Sequence, residues 1–153
     1  MTKKNELTPK EQQEVIRSAY GDFYARLQSN DWLGAFLIAF GLLENRINTM
    51  DRYERDFRFS QGLESSTNSL KHRPLNNRVN YLEFQKRLHP EEAEEIRQIG
   101  DVRNQIIHDL VWATKEIDDQ LCLHVLDLER KAKNARNRQK YRHKKILNQS
   151  KQP

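Results

Sequence analysis

The chain has 153 residues, 36% of them apolar and 32% charged, and a formal charge of +5, which predicts one folded domain with a modest core and strongly charged, uncovered ends. Its single cysteine, Cys122, excludes an internal disulfide and a paired-cysteine metal site, and points to a reducing compartment. The charged start MTKKNELTPK has no apolar leader core, and the longest apolar run, AFLIAFGLL over 35–43, is about half a membrane span, so a cytoplasmic chain with no membrane partner is expected.

Thr8, Pro9 and Glu11 make a capping box with proline at the first helical position, and Val15, Ile16, Ala19, Tyr20, Phe23, Tyr24 and Leu27 follow at helical spacing. The first helix is predicted over about 9–29. Asn30 or Asp31 caps a second, in which Leu33, Phe36, Leu37, Phe40, Leu43, Ile47 and Met50 keep the period past Gly41. Nearly every side of 32–43 is apolar, which puts this helix at the centre of the domain or at a subunit interface. From about Phe59 to Asn77, FSQGLESSTNSLKHRPLNN has no periodicity and reads as a flexible loop.

A short helix is predicted over 79–88, and Pro90 then restarts the chain with acids in the first turn, where the helix dipole favours them. Ala93, Ile96, Ile99, Ile106, Leu110 and Ala113 mark the buried stripe of this next helix. In DDQLCLHVLDLERKAKN the alternation of Leu121, Leu123 and Val125 admits a strand, but the run into Arg130 and Lys131 favours a helix leading into the basic end. Ten Lys/Arg and no acid lie from Arg130 onward, so the end carries +10 and residues 1–129 carry −5. The expected fold is all-α: a four- or five-helix bundle over 1–129, and a basic C-terminal tail over 130–153 that is helical or disordered.

The stretch DVRNQIIHDL, 101–110, sets Arg103, Asn104 and His108 within an otherwise apolar helical stripe. Asn104 and His108 are one turn apart and stack on one face, with Arg103 adjacent in angle. A histidine can take and give a proton near neutral pH, and a guanidinium matches phosphate oxygens, which together suit phosphodiester cleavage. No His, Asp and Glu cluster has metal-ligand spacing, so neither a metal nor another cofactor is expected; the nucleophile would be the 2′-hydroxyl of RNA. The competing reading pairs Arg103 with Asp101 or Glu95 and leaves His108 as a helix-edge histidine. A second R-x4-H spacing, Arg138 to His143, lacks the following asparagine and reads as a chance match, while His72, His89 and His124 read as structural or surface residues.

Arg103-Asn104-x-x-x-His108 resembles the R-N-x3-H signature of HEPN domains (higher eukaryotes and prokaryotes nucleotide-binding), over a helical body of about residues 9–130. The resemblance implies a metal-independent endoribonuclease of the toxin–antitoxin, anti-phage or RNA-processing kind, with Arg103 and His108 catalytic and Asn104 orienting them. It also implies a homodimer whose motifs meet in a cleft between protomers. Glu44, on the angular face of Leu33, Leu37 and Asn48, is a further candidate catalytic residue with Arg103 as its expected partner; the alternative is a local contact to Arg46, Asn48 or solvent.

For the tail, Arg130, Lys131, Lys133, Arg136, Arg138, Lys140, Arg142, Lys144 and Lys145 are the expected RNA-binding residues, supplying affinity without sequence choice. An antitoxin or another acidic protein is the competing partner for this segment. The alternative to an enzyme is a non-catalytic helical module that binds nucleic acid or serves as an adaptor, using the same basic tail.

Overall fold

The computed structural model describes residues 6–64 and 73–151, and these form six α-helices and no strand: α1 (Pro9–Gln28), α2 (Trp32–Ser60), α3 (Leu75–Phe84), α4 (Pro90–His108), α5 (Leu110–Glu116) and α6 (Asp119–Gln149). The caps are those the residue types dictate. The Glu11 N–H donates to the Thr8 hydroxyl at 3.3 Å while the Thr8 N–H donates to the Glu11 carboxylate at 2.7 Å. Of the two candidate caps for α2 it is Asp31 that accepts the Gly34 N–H, at 3.0 Å, while Asn30 turns the chain at φ 59°, a left-handed conformation asparagine tolerates. At α4 the Glu92 carboxylate reaches back to the His89 N–H at 2.9 Å.

Two helices start or stop elsewhere than the sequence period suggests. Pro74 holds the extended backbone that launches α3 at Leu75, four residues early, and Lys86 at φ 59° closes it before the buried Leu88. The helix begun at Pro90 ends at His108, because the Asp109 carboxylate accepts the Trp112 N–H at 2.9 Å and starts α5 as a separate helix. That break raises the helix number to six and turns Leu110, expected in the buried stripe, 61% out to solvent. Of the expected loop over 59–77, residues 65–72 lie outside the described residues, as does His72; Phe59 and Ser60 still belong to α2 and Leu75 to Asn77 to α3.

α2 is the central helix, and its Phe36, Leu43, Ile47 and Met50 are fully buried. α6 lies alongside it in the same direction: Trp32 meets Cys122, Arg46 meets Glu129 and Glu54 meets His143. α4 runs the opposite way, since Glu95 pairs with Lys131 and Glu92 with Arg138. Each fully buried Leu, Ile, Val, Phe or Met side chain contributes about 1.5–3 kcal/mol to holding these helices together. α1 covers α2 incompletely; of its apolar face only Phe23 is buried, and Val15 and Tyr24 stay exposed.

The expected division between 1–129 and 130–153 falls inside α6, which continues unbroken for 31 residues. Val125, Leu128, Ala132 and Ala135 form one buried stripe across it, so the first half of the basic segment is packed against α2. No helix among the described residues is long and apolar enough to cross a membrane.

Candidate functional site

Arg103, Asn104 and His108 occupy the last turns of α4, with His108 its final residue. Arg103 is half-buried, its guanidinium carbon 5.8 Å from the centre of the Phe40 ring on α2, a cation–π approach that orients it against the core. Asn104 and His108 are exposed, one turn apart. Among the described residues none of the three makes a hydrogen bond or an ion pair. The competing structural pairing is therefore unfilled: Glu95 is bound to Lys131 at 3.5 Å, and Asp101 leaves Arg103 alone.

Glu44 stands one turn beyond Phe40 on α2, half-buried. Among the described residues neither Arg103, its expected partner, nor Arg46 of the alternative reading engages it: Arg103 lies over Phe40 and Arg46 is held by the buried Glu129 at 2.9 Å. Around this corner the apolar surface is uncovered: Ile107, Leu110 and Val111 are 59–67% exposed beside His108, and Leu37 is 46% exposed on α2. A groove of about 420 Å³ continues from Leu37 and Gly41 between α2 and Val15 and Ile16 of α1. The sequence placed the polar trio at the edge of a packed face; the side chains open outward from it.

The strongest polar constellation is elsewhere and was not singled out from the sequence. Glu54 is fully buried, and Arg87 Nε donates to both its carboxylate oxygens at 2.9 and 3.0 Å. Gln139 Nε2 donates to Glu54 Oε2 at 3.0 Å and to the Met50 carbonyl at 2.9 Å, and His143 Nε2 lies 2.7 Å from the same carboxylate. The His143 ring stacks on Phe57 with centroids 3.9 Å apart. Burial pushes the Glu54 carboxyl up, but the hydrogen bonds from His143, Arg87 and Gln139 outweigh it and bring the pKa down to about 2. His143 is thus a structural partner of a core carboxylate, consistent with discounting the second R-x4-H spacing as a motif. All of its partners are taken, and the cluster reads as a clamp between α2, α6 and the turn before α4.

The nine expected RNA-binding residues divide. Arg136 is 8% exposed, its guanidinium 4.1 Å from the centre of the Tyr53 ring and bonded to Gln139, so it packs in the interior and is corrected from a surface contact to a core one. Arg130 pairs with Asp127, Lys131 with Glu95 and Asp127, and Arg138 with Glu92. Lys133, Lys140, Arg142, Lys144 and Lys145 form no ion pair among the described residues and are exposed, Lys133 at a groove shared with Tyr20 and Tyr24 of α1 and Arg142, Lys144 and Lys145 around Tyr141.

The described residues define an all-α protein with an unbonded Arg–Asn–His cluster at one end and a basic helix face at the other. Comparison with family models, with curated proteins and with solved structures found no match.

Proposed function

We propose that the chain is a metal-independent endoribonuclease of the HEPN kind acting as a homodimer. The observation that carries the reading is that Arg103, Asn104 and His108 are gathered on two turns of α4 with no hydrogen bond or ion pair among the described residues to occupy them. Arg46, Arg87 and Arg97, by contrast, are each held by a carboxylate. In the proposed reaction the 2′-hydroxyl attacks the adjacent phosphorus, His108 relays the proton, and Arg103 meets the charge that builds on the phosphate oxygens; the products carry a 2′,3′-cyclic phosphate and a 5′-hydroxyl.

One protomer offers a single His108 on an open surface. Two proton-transfer groups around one phosphate serve attack and departure together, and the uncovered Leu37, Ile107, Leu110 and Val111 supply apolar area for a two-fold partner to cover. Glu44, without an ion pair among the described residues and one turn from Phe40, is the carboxylate available to orient Arg103 once such a cleft closes.

The test is cleavage of an unstructured RNA by wild type and His108→Ala, with and without EDTA, beside a substrate carrying 2′-deoxy at the cut. His108→Ala is expected to lose about 10²-fold or more with an unchanged melt, EDTA to leave the rate intact, and the deoxy substrate to be inert. Cleavage of the deoxy substrate, or full activity in His108→Ala, refutes the mechanism.

A further inference from the structure

The last three turns of α6 carry an exposed aromatic in a setting that the cleavage reading does not use. Tyr141 is 69% exposed. Its neighbours on the opposite side of the helix, Gln139 and His143, are the two residues bonded to the buried Glu54, so the turn that presents Tyr141 is pinned from beneath. On either side of the ring lie shallow grooves, one of about 510 Å³ lined by Arg138, Arg142 and Lys145 and one of about 380 Å³ lined by Lys144, Lys145 and Asn148. There is no acid anywhere in the chain after Glu129.

We propose that Tyr141 is the stacking platform of a binding site for single-stranded RNA, whose phosphates run through the two flanking grooves against Arg142, Lys144 and Lys145. The face of a phenol ring accepts any unpaired base, and cations on both sides of it follow a backbone that continues past that base in each direction. A ring on a turn already fixed by the Glu54 cluster loses little freedom on binding. A single strand uses this order of groups at once, a base for the ring and phosphates for the cations before and after it. Without side chains that reach base edges in a fixed pattern, the site takes RNA irrespective of sequence.

This site is separate from the one at His108. α4 is antiparallel to α6, so the Arg138 end of α6 lies at the start of α4, and Glu92 to His108 spans about 24 Å at 1.5 Å per residue. A strand stacked at about 3.4 Å per nucleotide needs about seven nucleotides to cover that distance. Short RNAs can occupy either site and only longer ones both.

Fluorescence anisotropy of the full chain on a labelled, unstructured 20-nucleotide RNA tests the assignment, in a His108→Ala background that keeps the probe whole. Tyr141→Ala is expected to weaken binding about tenfold, the range found for losing one base–aromatic stack. Lys144→Gln with Lys145→Gln is expected to lower the log–log salt slope by about 1.4, two contacts at about 0.7 each. On a blunt RNA duplex, whose bases are already stacked, Tyr141→Ala is expected to change nothing. All three positions are exposed, and an unchanged melting curve establishes that the variants fold. Unchanged single-strand affinity in Tyr141→Ala overturns the proposal, as does equal weakening on the duplex. Lysine-dependent capture of polyglutamate in place of RNA also overturns it and gives the face to an acidic protein. None of these readings contains a cleavage step, so the result stands apart from whether Arg103 and His108 form a nuclease.

Discussion

Replacing Glu54 by glutamine keeps its shape and removes its charge, and the structure fixes what that should cost and when. At neutral pH the change leaves the Arg87 guanidinium, 11% exposed, facing an amide where two oxygens had accepted from its Nε. Breaking a buried pair on one side costs about 3–5 kcal/mol. The wild-type carboxyl has its pKa lowered from 4.5 to about 2, so its ionisation stabilises the fold above the unfolded value and that contribution is lost as pH falls toward the folded one. The shift corresponds to about 3 kcal/mol at pH 7, of which about 2 is gone by pH 3. Urea denaturation of wild type and Glu54→Gln at pH 7, 5, 4 and 3 measures this. The gap in unfolding free energy between the two proteins is expected to hold from pH 7 to 5 and to close by about 2 kcal/mol by pH 3, while other carboxylates, common to both, cancel. A gap that stays constant down to pH 3 refutes the argument that the Glu54 charge is held by its donors.

Cutting the chain after Glu129 removes Ala132, Ala135 and Gln139 from the face of α2, so the truncated protein is expected to lose its cooperative melt, where Lys144→Gln with Lys145→Gln keeps it. On the proposed homodimer reading, Leu37→Lys puts a charge on the exposed apolar side of α2; sedimentation is then expected to show a shift from dimer to monomer, and RNA cleavage to fall with the dimer fraction, while the melt of the monomer is little changed. Asp109→Ala removes the cap of α5 and is expected to cost about 1 kcal/mol, with faster amide exchange confined to 109–116.

Helices announced by their own ends were legible in the sequence. The Thr8–Glu11 box and Pro90 with its acidic first turn act within a few residues, and the structure begins α1 and α4 where they stand. The break at Asp109 was harder, because the apolar period of Ile106 and Ala113 carries across it and only the Asp109 side chain, free either to cap or to point away, decides. The Glu54 clamp left a trace that can be followed: Leu43, Ile47, Met50, Glu54 and Phe57 are spaced 4, 3, 4 and 3, and Val125, Leu128, Ala132, Ala135, Gln139 and His143 continue one stripe on α6. An acid and two polar residues at core positions of two stripes signal a buried pair before any coordinates. What no periodicity reveals is their meeting, since Glu54 and His143 are 89 residues apart. For the same reason the charge of the basic end was visible but its packing was not; Arg136 differs from Arg142 only in the side of the helix it occupies.

The parallel pairing of α2 with α6 also sets the order in which the molecule can come into being. Trp32 waits for Cys122, 90 residues later, and Glu54 waits for His143, 89 later, with the whole of α3, α4 and α5 made in between. At ribosomal speeds of about 5–20 residues per second, α2 stands complete for about 4–17 s before its principal partner has been synthesised. During that interval the side of α2 that α6 will cover, with Phe36, Leu43 and Ile47 in the core it completes, lacks its main partner. Apolar surface left open in this way is the kind that chaperones cover during synthesis. α4 is in the same position at its N-terminal half, where Glu92 and Glu95 find Arg138 and Lys131 only once α6 has been made.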